Sequence, residues 1–156
     1  MADATQAGAD TPSRPGTRIE NLMIANHAEV VNGLLYISGG CWTRHHRAKP
    51  KEGESAPRST FGIAMTVIVP WTEANRPHAV TVTIESEDDP QHPVVNVKGE
   101  LTVGRPPDAK PGSEQRAAFA VNTNVQFPKP GGYSLKAVLS NGDVRSVSFE
   151  VIDRSS

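Results

Sequence analysis

From Ile19 onward the apolar residues recur with a period of two, and that alternation limits what the chain can become. Phe61, Ile63, Met65, Val67 and Val69 alternate with smaller residues, and Val80, Val82 and Ile84 alternate with Thr81, Thr83 and Glu85. Val95, Val97, Leu101 and Val103 alternate with Asn96, Lys98, Glu100 and Thr102, and Phe119, Val121, Val125 and Phe127 keep the same rhythm. Successive side chains of a strand point to opposite faces, so each run reads as a strand with one face on a core. No window carries a helical stripe. The thirteen prolines and thirteen glycines fall mostly between the runs, where turns belong. The pattern predicts about eight strands, at 19–31, 34–43, 60–69, 78–86, 94–103, 116–127, 132–139 and 144–152. Short strands at this spacing, without helices, indicate an all-β fold. An antiparallel β-sandwich is expected, with a barrel as the alternative.

The turns refine this. Asn32-Gly33 suits a two-residue type I′ loop, which pairs Val30 with Leu35 and Ala28 with Ile37 on one face. His27, Glu29, Tyr36 and Ser38 then share the other face with Val31 and Leu34. Asn141-Gly142 invites the same turn, but that register sends Val147, Phe149 and Val151 to the wrong face. Three apolar side chains at about 1.5–3 kcal/mol each outweigh a turn preference. A three-residue or bulged loop, 141–143, is therefore expected, pairing Leu135 with Phe149 and Ala137 with Val147. "PGGYSL" resembles the tyrosine corner of immunoglobulin-like sandwiches: Gly131 or Gly132 would turn the chain and Tyr133 would anchor it, so an immunoglobulin-like sandwich is the expected fold.

The 156 residues fit a single domain, assigned to 18–153, with 44–59 as a mobile loop. Residues 1–17 have almost nothing to bury and read as a disordered tail. That tail has no apolar core of a secretory signal, and no stretch approaches the roughly 20 apolar residues of a membrane helix. A net charge of −1 gives no general pull toward nucleic acid or anionic membrane. One cysteine cannot make an internal disulfide, so a cytoplasmic setting is expected. Cys41, after Gly39-Gly40, reads as a buried inert thiol.

"ANHAEVVNGLLYISGGCWTR", "VPWTEANRPHAVTVTIESED", "GELTVGRPPDAKPGSEQRAAFAVN" and "FPKPGGYSL" together resemble a family of small uncharacterised bacterial proteins, domains of unknown function common in actinobacteria. The resemblance runs from about Ile19 to Val151 and implies a compact all-β domain with no established activity.

Candidate chemistry concentrates in "PWTEANRPH". Trp71, Glu73, Asn75 and His78 supply an aromatic platform and three polar groups able to orient a ligand. The bland alternative is a connector in which Trp71 covers the end of the core. Catalysis would need Glu73, Asn75 and His78 to converge, as in a small hydrolase or metal enzyme. His27, His45, His46, His78 and His92 lack metal-ligand spacing and read as solvated loop residues; Glu87, Asp88 and Asp89 lack the rhythm of a calcium loop. No metal or cofactor is expected. Arg44, Arg47, Lys49 and Lys51 form a short basic run that could touch phosphate, although no aromatics interleave it. The functional expectation is a non-enzymatic module that binds a protein or a ligand, through the 70–78 loop or the outer face around Tyr36. A homo-oligomer through that face or a sheet edge is a further expectation.

Overall fold

A computed structural model describes residues 16–155. Among these, nine strands form two sheets, with one short 3₁₀ turn, Trp71–Glu73, and no α-helix. The strands are β1 (Arg18–Val31), β2 (Leu34–Gly40), β3 (Arg44–Arg47), β4 (Arg58–Val69), β5 (Pro77–Ser86), β6 (Val95–Thr102), β7 (Gln115–Gln126), β8 (Gly131–Leu139) and β9 (Val144–Asp153). One sheet has the order β2-β1-β4-β7, the other β3-β9-β8-β5-β6. The five-stranded sheet curls like half of a barrel.

One core joins the sheets. Ile63, Met65 and Val67 of β4, Val80, Val82 and Ile84 of β5, Leu135 of β8 and Val151 of β9 are all buried in it, as their alternation predicts. Phe61, Phe127, Tyr133 and Phe149 close one end with ring centroids 4.9–6.0 Å apart. Tyr133 donates its hydroxyl hydrogen to the Lys129 carbonyl at 2.7 Å, four residues back along the chain. That is the anchoring bond expected of "PGGYSL", and Gly131, at φ +133°, supplies the turn before it.

The first hairpin has the expected register, with Val30 opposite Leu35, Ala28 opposite Ile37 and Glu29 opposite Tyr36. Asn32 and Gly33 take φ +50° and +76°, as a type I′ turn requires. The last hairpin has the expected odd loop but a different register: Leu135 lies opposite Val147 and Tyr133 opposite Phe149. The Gly142 N–H bonds the Leu139 carbonyl at 2.9 Å, and Gly142 takes φ +91°. This is a type I turn closed by a left-handed glycine, with the loop one residue earlier than expected. The pairing shifts by two, a full pleat repeat, so every side chain keeps its predicted face.

Three expectations are corrected. The strand expected at 34–43 ends at Gly40, because Gly39 and Cys41 take φ +63° and +65°. Arg44–Arg47, expected in a loop, forms β3, and it pairs with β9 in parallel, so the sheets are not purely antiparallel. Cys41 is exposed rather than buried. The tail expectation lies outside the described residues up to residue 15, but Thr17 is buried and ordered by hydrogen bonds.

Candidate functional site

Pro70 ends β4, and the chain turns at Trp71–Glu73 before β5. Asn75 adopts φ +62°, which asparagine tolerates better than most residues, and its N–H bonds the Val103 carbonyl at 2.7 Å. The Trp71 carbonyl accepts two bonds from Arg105, at 2.6 and 3.1 Å, and the guanidinium lies 4.5 Å over the indole ring. Trp71 thus packs on an arginine at the surface. Trp42, not Trp71, covers the core, meeting Phe61 and Phe149 edge-on.

Glu73 faces the other way. One carboxylate oxygen accepts both the Thr17 N–H and the Thr17 hydroxyl, and the other pairs with Arg76 at 3.1 Å. The Thr17 hydroxyl foremost, then its amide and the Arg76 and His78 charges, hold the carboxyl below the usual carboxylate range against the cost of partial burial. His78 is buried, 8% exposed, with Nε2 2.8 Å from the Glu73 carbonyl oxygen. A carbonyl only accepts, so Nε2 carries a proton. The side chain of Asn141 donates to the Thr17 carbonyl at 2.6 Å and ties the β8–β9 hairpin to the same place.

The carboxylate, amide and imidazole therefore do not converge on a common point. Glu73 holds Thr17 just ahead of β1, His78 caps the loop's own backbone, and Asn75 turns outward. A shallow cavity of about 300 Å³ lies beside Glu73, Arg76, His78 and Asn141. Trp71 does not line it.

In the basic segment, strand alternation separates the side chains. His45 and Arg47 turn inward, while Arg44 and His46 are exposed. Arg47 is only 5% exposed; it bonds Asp153 at 2.6 Å and donates to the Phe127 carbonyl. This removes it from the surface proposed for phosphate, leaving Arg44, Lys49 and Lys51 exposed. His45 is not a solvated loop residue: its ring packs on Trp42, Phe61 and Phe127, and Nε2 lies 2.8 Å from the Ser59 hydroxyl. Burial first, then the charges of His46 and Arg154, push its pKa below the ordinary histidine value. Trp42, Arg44, His45, His46 and Arg154 line an open groove of about 500 Å³. Among the described residues, no group of three or more His, Cys, Asp or Glu side chains could hold a metal ion.

The β1–β2 hairpin has the opposite character. Leu34 is 62% and Tyr36 51% exposed, and Val30, Val31 and Ile37 are exposed beside them. β1 pairs with β4 only as far as Ala25, opposite Gly62. Beyond it, Asn122 of β7 takes over: it accepts from the Ala28 N–H at 3.1 Å and donates to the Ala28 carbonyl at 2.8 Å. The hairpin crosses so close to β4 that a Cβ on Gly62 would lie 2.6 Å from the Ala28 nitrogen.

The Thr17–Glu73 and Arg47–Asp153 ties were not foreseen. They join residues 56 and 106 positions apart, and no local spacing announces such a pair. No curated protein matches the chain. One family model matches residues 20–152, nearly the whole domain: "Family of unknown function (DUF6941)". The chain belongs to this family.

Proposed function

We propose that the protein is a non-enzymatic interaction module built on an immunoglobulin-like frame, and that it binds other protein through the β1–β2 hairpin. The observation that carries this reading is the exposure of Val31, Leu34 and Tyr36 on one face of that hairpin, with Ile37 and Val30 exposed on the other. Contiguous exposed apolar residues on an otherwise polar surface mark interaction sites more often than isolated ones do.

The strand order supports the frame. β4 and β7 correspond to the immunoglobulin strands B and E, with β1 beside them as A. β9, β8 and β5 correspond to G, F and C, and β6 to the additional C′ of variable-type domains. The Tyr133 bond at the start of β8 falls where the tyrosine corner begins strand F. A non-catalytic role is supported by the engagement of Glu73 with Thr17 and of His78 with the loop's own backbone. A bacterial cytoplasm is the proposed setting, in keeping with a fold that uses its one cysteine in no disulfide.

The test is capture of partners by tagged wild-type protein, compared with Leu34→Lys and with Trp71→Ala/His78→Ala, each checked for folding by circular dichroism. Loss of a partner with Leu34→Lys alone supports the hairpin. Loss only with a folded Trp71→Ala/His78→Ala variant moves binding to the 70–78 loop, and loss with neither sinks both surfaces.

A further inference from the structure

Among the described residues each sheet has two free edges: β2 and β7 in one, β3 and β6 in the other. Free edges are usually protected by charge, proline or a bulge. β3 is four residues long and carries Arg44 and Arg47, β6 carries Lys98 and Glu100, and β7 carries Arg116. β2 alone has none of these protections over Leu34–Ser38. Its regular stretch is bounded by the Asn32-Gly33 turn and by Gly39, whose left-handed φ interrupts the pleat.

The backbone groups left open on this edge follow from the hairpin. A two-residue turn makes Val31 and Leu34 a hydrogen-bonded pair, and pairs then alternate. Glu29–Tyr36 and His27–Ser38 are bonded pairs, while Val30–Leu35 and Ala28–Ile37 are not. The Asn122 contacts confirm the phase independently, since both backbone groups of Ala28 point away from β2. Leu35 and Ile37 therefore turn their N–H and C=O groups to the open edge. They sit symmetrically about Tyr36.

We propose that this edge pairs with the same edge of a second copy, antiparallel and about a two-fold axis at Tyr36. The inference rests on the reading of the hairpin as the interaction surface and names its occupant. In this register Leu35 exchanges both backbone bonds with the partner's Ile37, and Ile37 with the partner's Leu35. All four open groups of each edge are satisfied. Tyr36 meets the partner's Tyr36 in the close, non-hydrogen-bonded pairing, where aromatic pairs stabilise a sheet. Leu34 lies across from the partner's Ser38. No charge is placed opposite a like charge: the nearest such pair, Glu29 and the partner's Glu29, stands three strand spacings apart. That is about 14 Å, beyond a screening length of about 8 Å at physiological salt. The two four-stranded sheets become one continuous sheet with an isologous interface.

The experiment is sedimentation of the full chain over a concentration series, for wild type, Ile37→Pro and Tyr36→Lys. The Ile37 N–H faces away from β1 in this register, so proline there leaves β1–β2 pairing intact while removing one bond per copy. Tyr36→Lys sets two cations at the axis. We expect a wild-type dimer, association weakened at least about tenfold in both variants, and unchanged circular dichroism. Amide exchange supplies a second readout: the Leu35 and Ile37 amides gain protection with concentration, while that of Tyr36, bonded to Glu29, is protected throughout. A wild-type monomer at the highest soluble concentration overturns self-pairing. If capture of some other protein then still depends on Leu34, the hairpin reading survives with a different occupant; if it does not, both fail. A dimer that Ile37→Pro leaves intact but Leu34→Lys disperses overturns the edge register in favour of face-to-face contact.

Discussion

The 70–78 loop and the β1–β2 hairpin lie on different parts of the same fold and use their side chains in opposite ways. In the loop, polar groups that look reactive in one dimension are spent on the fold. Glu73 binds Thr17, His78 binds the Glu73 carbonyl, and the Trp71 carbonyl binds Arg105. In the hairpin, unremarkable apolar residues stay in water. A buried polar group is costly until it is paired, so its presence within a fold first implies a structural partner. An exposed valine, leucine and tyrosine on one face of the hairpin carry no such explanation. The contrast teaches that an assembly of polar residue types can be wholly engaged in holding the fold, whereas the exposed apolar surface of the hairpin has no such structural role.

Four measurements can break or sharpen this contrast. The largest expected effect is at the crossing of hairpin and sheet. Gly62→Ala would force a Cβ against the Ala28 and His27 backbone, and the overpacking should cost about 3 kcal/mol in urea unfolding. A cost near zero would mean the hairpin is loosely attached. Next, His78→Ala should destabilise by about 2 kcal/mol, because it leaves the Glu73 carbonyl without its partner. Partner capture should be unaffected. A stable variant that loses a partner would reverse the roles of the two regions.

Third, the pH dependence of Glu73 can be isolated. Its folded pKa is depressed, so its contribution is fully present above the unfolded value of about 4.3. It is lost as pH falls through the lower folded value. Thermal melts from pH 6 downward should show a decline that is smaller in Glu73→Gln. Equal declines would mean the Thr17 contact does not set the carboxylate's affinity for protons. The smallest effect on stability is expected from Leu34→Lys, within about 0.5 kcal/mol, since the residue is exposed. A loss well beyond that would show Leu34 to be packed, and would weaken the case for a free surface.

Much of the frame was legible from local pattern. The inward sets of β4, β5 and β8 follow from alternation, and the β1–β2 register follows from Asn32-Gly33 plus the matching of apolar faces. The last hairpin shows the resolution of such reasoning. Burial specifies the parity of the loop, but registers two residues apart bury the same faces. The choice between them was made by Gly142, the residue able to close a type I turn in the left-handed region. β3 was not legible, because Arg44-His45-His46-Arg47 has no apolar alternation and its partner in β9 lies about a hundred residues away.

By itself the sequence determined an all-β chain, its strand faces and its first hairpin, because a period of two and a type I′ turn act over a few residues. It also determined that Tyr36, Val31 and Leu34 share a face. Only the tertiary structure decided which polar groups were free. Glu73 and Arg47 found partners that arrive from distant segments, His78 turned onto its own loop's backbone, and β2 became an edge because β4 took the other side of β1. Local periodicity is set by the geometry of one strand, whereas pairing across the fold depends on which surfaces the whole chain leaves uncovered.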